Sequence, residues 1–473
     1  MKLYKYISSV LLIALFATSC KKQLDTKPPF SFDEENIQNL DDVERILGGV
    51  YAKLRNVDYY GNLNSSSGYS TLPDIIGDNF EETGESLGAL VLLTYWGAAS
   101  DESNIENIWK AAYNVIVQAN FVINNVDKFG AADPERANRL KGQALALRAY
   151  VHFDVLRYWG ENFDEGGTGK GIPYKEDTDK FTLPTRLTVG ASLTKIWTDL
   201  NAAMDLLADV DQAINTSTRK SNIDLNAARA IAARISLYQE DFDNAIDYAT
   251  DVINAIPLAR LADSTAYRNI WTDQSSIELI WTVNFDAGQG APGSNIFFPS
   301  GNRSSFRVDP LLRATYSTSD IRLNAFIQPV DRRGVSREVL YKFRGRTGLN
   351  DGNVNWKVLR TSEMYLIRAE AAARRNTGTD AVNALLDLNT LRASRIRNYV
   401  PGVEVGQALI NAIALERRKE LLGEGHRWFD LKRTDRVIER NSGDELPAND
   451  RFWAWPIPFA ELQTNPMPQN DGY

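Results

Sequence analysis

The 473-residue chain carries 53 Lys and Arg against 61 Asp and Glu, a formal net charge of −8, and this acidic balance disfavours nucleic acid and other extended polyanions by repulsion. Its two histidines and one cysteine leave little scope for histidine-built metal sites or triads, and no intramolecular disulfide can form. A hydrophobic share of 43% is ordinary for a globular protein, and the length suffices for a large core in two closely joined parts.

The chain opens with Lys2 and Lys5, an apolar run from Val10 to Ala17, and the small residues Thr18 and Ser19 ahead of Cys20. This order predicts a secretory leader over 1–19, too short to span about 30 Å of hydrocarbon. It resembles a bacterial lipobox, which implies cleavage before Cys20 and lipidation of its thiol. Two or more acyl chains hold firmly, because each buried CH₂ contributes about 0.8 kcal/mol. Residues 20–35, with Pro28, Pro29 and many charges, are expected to be an extended, lipidated tether.

Helical periodicity follows. Val43, Leu47, Val50 and Leu54 share one face, and Ile105, Ile108, Ala112, Ile116, Ala119 and Ile123 recur at three- and four-residue steps. Ala144, Leu147, Val151, Val155 and Tyr158 continue the pattern, and further amphipathic stretches cover 191–208, 224–239, 241–255, 361–375, 379–394 and 407–422. The stretch 226–254 is similar to a tetratricopeptide repeat: Ala228 and Ala232 permit close helix approach, Asp241-Phe242 makes the turn, and Ala245, Ala249 and Val252 face back. A weaker echo lies at 363–394. Long segments rich in Gly, Asn, Ser and aromatics (58–103, 160–189, 259–310 and 324–360) separate the helices, and short strands are predicted at 277–285 and 337–344. The expected fold is mainly α: a tetratricopeptide-repeat helical scaffold with a loop-rich, partly irregular C-terminal half and minor β.

Four stretches together resemble the SusD/RagB family of outer-membrane lipoproteins. They are CKKQLDTKPP (20–29), ALALRAYVHFDVLRYWG (144–160), YLIRAEAAAR (365–374) with ALERRKELLGEGHRWFDLKR (414–433), and the terminus WPIPFAELQTNPMPQNDGY (455–473), where Asp471 replaces a usual proline. The resemblance implies an N-terminal helical region over 36–260 and a C-terminal region over 261–473. It also implies a non-catalytic lipoprotein, anchored in the outer membrane and facing the exterior. Such a protein captures oligosaccharides, or sometimes peptides, for a SusC-like TonB-dependent transporter, with no cofactor and no metal.

Within the signature, Glu416, Glu420 and Glu424 repeat every four residues, and Arg417, Arg427, Asp430 and Arg433 complete a set suited to charge-assisted pairs. That pattern predicts a structural ion-pair network, with Gly425 relieving the turn. His152 is expected opposite the apolar stripe of its helix, in a packing or surface role. A sugar receptor needs flat aromatic platforms beside polar donors and acceptors, which two loop regions supply. Residues 58–103 hold Tyr59, Tyr60, Asn62, Asn64, Tyr69, Asp78, Asn79, Tyr95 and Trp96; residues 270–307 hold Trp271, Trp281, Asn284, Phe297, Phe298, Arg303 and Arg307. Tyr95, Trp96, Tyr69, Asn79, Trp281 and Arg303 are the expected ligand-binding residues, with the Tyr95-Trp96 pair as main platform. Two other classes stay open. A glycoside hydrolase needs two carboxyls about 5–9.5 Å apart beside a cleft, and a repeat scaffold would bind peptides or proteins only.

Overall fold

The computed structural model describes residues 36–473 apart from 63–66, 89, 164–166, 180, 212, 287, 290–291 and 435–436. The leader, Cys20, the tether and Asn64 lie outside the described residues. Sixteen α-helices and twelve short strands, all in two-stranded sheets, make up the described part. Nine long helices form the frame: α1 (Leu40–Lys53), α2 (Ser103–Val126), α3 (Pro134–Trp159), α4 (Val189–Ala208), α5 (Leu225–Tyr238), α6 (Phe242–Ala255), α7 (Thr361–Arg375), α8 (Asp380–Arg395) and α9 (Gly406–Glu420). Each coincides, within a few residues at most ends, with a stretch whose apolar spacing predicts it; α3 begins further upstream, at Pro134.

Their starts have local causes. Asp133, Asp224 and Asp241 cap α3, α5 and α6 by accepting the backbone N–H of Arg136, Ala227 and Asn244, each cap contributing about 1 kcal/mol. Pro134 at the first helical position of α3 gives up an N–H that would have no helical partner.

Neighbouring helices in this series pack on one another, α1 on α2 through α7 on α8, with α9 against α7. Ala228, Ala232, Ala245 and Ala249 are fully buried at the α5–α6 contact, as expected where small side chains let helix axes approach. Ala369, Ala372, Ala384, Leu388, Leu409 and Ile413 form the core of α7–α9, and Ile246 of α6 packs against it. Full burial of Leu388 or Ile413 contributes about 1.5–3 kcal/mol each. The helix stack thus runs without a break across residue 260, and Leu40–Tyr473 is one unit.

The long connections carry the strands. β1 (Phe80–Glu82) pairs antiparallel with β3 (Phe306–Val308), with Phe80 opposite Val308 and Glu82 opposite Phe306. β2 (Leu279–Val283) pairs with β6 (Trp356–Arg360), while β4 (Ile327–Arg332) and β5 (Val335–Leu340) form a hairpin. Every residue of β2 and β6 is buried, so this ribbon is covered on both faces.

His152 is fully buried rather than on an outer face. The Lys175 N–H donates to its Nε2 at 3.1 Å, Nδ1–H donates to the Arg148 carbonyl at 2.9 Å, and its ring stacks on Tyr174 at 3.7 Å. Burial and the nearby Arg148 charge hold its pKa well below the usual histidine range. Residues 142–159 of this helix are all buried, and it packs against α1, α2, α4, α5 and the strand at Lys170–Pro173, so no solvent face exists there.

Candidate functional site

The short strand β1 joins the two aromatic loop regions. Its partner Arg307 donates to Glu81 Oε2 through Nε at 2.8 Å and Nη2 at 2.6 Å. Just past the strand, Thr83 N–H donates to Ser305 O at 2.9 Å, and Glu85 accepts the Ser304 N–H at 2.9 Å. These bonds hold the turn in which Phe297-Phe298 pairs with Arg303-Ser304. Burial would raise the Glu85 carboxyl, but the Ser304 N–H and the Arg337 and Arg332 charges outweigh it and hold it below its usual range.

Glu82 meets the other loop, accepting the Tyr95 hydroxyl at 2.9 Å. Tyr95 is 43% exposed and Phe298 is 41% exposed, so one strand of three residues has an open aromatic ring bonded to it and another on the adjoining turn. Arg303 lies with its guanidinium 5.8 Å from the Phe298 ring centre. Its Nε is buried and has no partner among the described residues. Burial and the Glu82 carboxylate raise the Tyr95 pKa, keeping the phenol neutral and able to donate.

Trp96 is half-buried beside Tyr95, in the left-handed region at φ 57. A bulky residue there stores about 1–3 kcal/mol of strain unless its surroundings fix it. Two contacts do so: Nε1–H donates to Ile76 O at 2.9 Å, and the Arg440 guanidinium lies 4.3 Å from the ring centre. Arg440 also donates to the carbonyls of Ile75, Ile76, Gly77 and Thr94 at 2.7–3.0 Å. Burial lowers its pKa to about 10, so it keeps its charge at neutral pH. Nothing in the sequence around Arg440 signals this role.

Three expected ligand residues belong to the interior instead. Tyr69 is 3% exposed, its ring 4.4 Å from Tyr59 and 5.4 Å from Tyr158. Trp281 is fully buried because β2 is covered on both faces, and its ring meets the edge of Tyr150 at 5.3 Å. Asn79 is 1% exposed; its amide donates to Asp74 at 2.6 Å and its carbonyl accepts from Arg418 at 2.8 Å. Polarity and aromaticity mark these side chains equally well for a packed core, which is where they are: Asn79 is bonded there, while the Tyr69 hydroxyl and the Trp281 Nε1–H have no partner among the described residues.

The signature of α9 and the turn after it grips the base of the Tyr95 loop. Arg427 donates to both Asp78 oxygens at 2.5 and 2.8 Å, and Arg418 donates to the Asp78 carbonyl at 2.6 Å. Burial opposes ionisation of Asp78, yet Arg427 and Arg418 hold its pKa down to about 2. Asp74 accepts the N–H groups of Gly423 and Gly425, each at 2.8 Å. Gly425 sits at φ 80 where a Cβ would meet the Ser70 carbonyl at 2.5 Å, so only glycine closes this turn. Elsewhere in the signature, Glu424 accepts from Arg360 and Lys342, Arg417 bonds Asp430, and Arg433 bridges Asp430 and Glu370. Glu416 pairs with Arg322 at 2.6 Å and Arg392 at 3.1 Å.

Asp74 carries a pH signature. Burial raises its pKa to about 6 despite its three donors, above the unfolded value of about 3.9. Its contribution is therefore complete below about pH 4 and is lost as pH rises through 6. The stability of the wild type relative to Asp74→Asn is expected to fall by about 2–3 kcal/mol between pH 4 and pH 7. Urea unfolding of both proteins across that range measures it, and a flat difference contradicts the assignment.

Against known proteins, the chain matches two family profiles: SusD-like_3, described as "Starch-binding associating with outer membrane", over residues 22–237, and SusD_RagB, the SusD family, over 332–473. The chain belongs to the SusD/RagB family. Among curated relatives, SusD-like protein P25 of Formosa agariphila is 25% identical and SusD-like protein P38 of the same organism 24%, each alignment covering 100% of both chains. Among solved structures, a SusD superfamily protein from Bacteroides thetaiotaomicron superposes with a TM-score of 0.80 at 24% identity, covering 92% of this chain and 100% of that one. Surface glycan-binding protein A from Bacteroides fluxus gives a TM-score of 0.76 at 21% identity, covering 92% and 99%.

Proposed function

We propose that this protein is a surface lipoprotein that binds oligosaccharides without altering them and delivers them to a partner SusC-like TonB-dependent transporter of the outer membrane. Tyr95, Phe298, Trp96 and Arg303 form its binding face, Cys20 carries the lipid, and the open rings stack on sugar faces while Arg303 and Glu82 meet hydroxyls. The observation that carries this reading is the pairing of β1 with β3, which unites two aromatic loops more than 200 residues apart around open rings. The glycan-binding names of structural neighbours and the family description support it. Among the described residues no helix is long and apolar enough to cross a membrane, consistent with attachment through the N-terminal lipid.

In the same proposal, 36–260 and 261–473 are regions of one body. The signature ion pairs hold that body together rather than perform chemistry. Val382, Leu386, Val403 and Val405 expose apolar side chains on and after α8, which favours a protein partner on the helical side and keeps a protein-scaffold role in play.

Calorimetry with a panel of neutral oligosaccharides is expected to show binding in the micromolar to millimolar range and no release of reducing ends. Tyr95→Ala is expected to weaken the best ligand about tenfold, the loss of about 1.4 kcal/mol of ring contact, with the thermal midpoint unchanged. Turnover of any ligand, or full affinity in Tyr95→Ala, sinks this reading.

A further inference from the structure

A second concavity lies apart from the Tyr95 face. It encloses about 990 Å³ between the 217–220 connection, the 255–259 segment after α6, the 273–279 turn and the near ends of β2 and β6, within the size range of ligand clefts.

Its walls are tied to one another before any ligand arrives. The Thr282 N–H donates to Lys220 O at 2.7 Å, Ser276 Oγ–H donates to Ser217 O at 2.7 Å, and Ala259 N–H donates to Glu278 at 3.2 Å. Two lining residues without glycine's freedom, Asp273 and Glu278, sit in the left-handed region at φ 60 and 66. Such backbone persists only where the surroundings over-determine it, and it gathers at sites with a task.

The charges in the cleft do not cancel. Both acids are already spent on the frame: Lys357 Nζ bonds Asp273 at 2.6 Å, and Arg395 Nη2 bonds Glu278 at 2.7 Å. The cations are not. Among the described residues the Arg219 guanidinium donates only to Ser221 Oγ, at 3.0 Å, and Lys220 is half-buried with no partner for its ammonium. Among the described residues no aromatic ring lines the cleft, so they offer no platform for stacking a neutral sugar. It offers two free cations among hydroxyls and amides, and an acidic group desolvated beside them gains the charge-assisted bonds that water otherwise supplies.

We propose that this cleft is a second saccharide subsite, distinct from the aromatic face, that takes the anionic substituent of an acidic oligosaccharide through Lys220 and Arg219. The assignment rests on the glycan-binding reading above. Carboxylate and sulfate share the required chemistry, and the cleft's hydroxyls and amides serve the flanking sugar hydroxyls.

The test is calorimetry on the full-length mature chain in detergent with three probes: a galacturonate trisaccharide, a sulfated galactose disaccharide and maltotriose. At least one acidic probe is expected to bind, more weakly as salt rises, and to lose about tenfold or more in affinity in Lys220→Ala and further in Lys220→Glu. The Lys220 ammonium bonds nothing among the described residues, and its carbonyl, which accepts from Thr282, is kept in both variants, so the thermal midpoint is expected to stay put. Maltotriose affinity is expected to be unchanged in Lys220→Glu and reduced in Tyr95→Ala. Failure of both acidic probes to bind, or unchanged acidic affinity in Lys220→Glu, overturns the subsite. Acidic binding that depends on Lys220, with no neutral sugar bound, upholds the subsite and removes the aromatic face. Acidic binding lost in Tyr95→Ala but not in Lys220→Glu assigns the acid to the aromatic face and overturns the proposal.

Discussion

Replacing Glu420 by alanine is expected to cost about 3–5 kcal/mol of folding stability, among the largest losses available to one substitution in this protein. Its carboxylate is fully buried and accepts from Tyr267 at 2.6 Å, Arg360 at 3.0 Å, Arg322 at 3.1 Å and Arg395 at 3.1 Å. Those three guanidinium groups are themselves at most 1% exposed. Burial alone would raise the Glu420 pKa; Arg395, Arg360 and Arg322 reverse that and hold it well below the usual range. Deleting the carboxylate leaves three buried cations short of one negative charge, with no water to replace it. Because the folded pKa is depressed, the contribution is complete above about pH 4.3, the unfolded value, and is lost as pH falls toward the folded pKa. Urea unfolding at neutral pH measures the effect, and Glu420→Gln separates charge from shape by keeping an acceptor oxygen. A loss within about 0.5 kcal/mol, typical of surface substitutions, would mean that the arginines find other partners and the network is not cohesive.

Much of the scaffold is legible in the sequence, whereas the proposed binding face is legible only as separate residues, Tyr95, Trp96 and Arg303, without the contacts that join them. Helices α1 to α9 announce themselves because a 3.6-residue repeat of apolar side chains is a local property, and Asp224 and Asp241 mark their own helix starts. The charged signature is legible as a set, since carboxylates and arginines four residues apart share a helix face. Its partners are not. Nothing near Glu420 names Arg322 or Arg395, and nothing near Arg427 names Asp78, because these pairs form only once distant segments pack.

The same limit governs the aromatic residues. Tyr69, Trp281 and Tyr95 look alike in composition and neighbourhood. What separates them is whether a strand or loop is covered on both faces, which depends on the helices packed over it. Trp281 lies in a ribbon with every residue buried, whereas Tyr95 follows a short helix at a rim with Val91 and Leu92 also open to solvent. The meeting of β1 with β3 is a contact across 226 positions, beyond any periodicity.

Arg440→Met is expected to cost the protein its sugar affinity by about tenfold or more, although Arg440 is buried and need not touch the ligand. Its guanidinium ties four carbonyls on two sides of the loop and covers the Trp96 indole. Methionine keeps the apolar stem and takes the guanidinium from the carbonyls of Ile75, Gly77 and Thr94, each at a cost of about 1–3 kcal/mol where water cannot reach, and leaves Ile76 O with the Trp96 indole N–H alone. The cheapest relief is for residues 90–97 to lift away, which releases Trp96 from its left-handed conformation and moves Tyr95 off Glu82. Affinity then falls because the rings must be ordered again on binding. Arg440→Lys is expected to lie between, since an ammonium can bond some of the carbonyls but cannot reproduce the planar stack on the indole. Hydrogen exchange at 75–97 distinguishes this from global destabilisation: protection is expected to drop there while α5 to α8 stay protected. Wild-type affinity in Arg440→Met, with the loop loosened, would mean that the sugar is held by the Phe298 side alone.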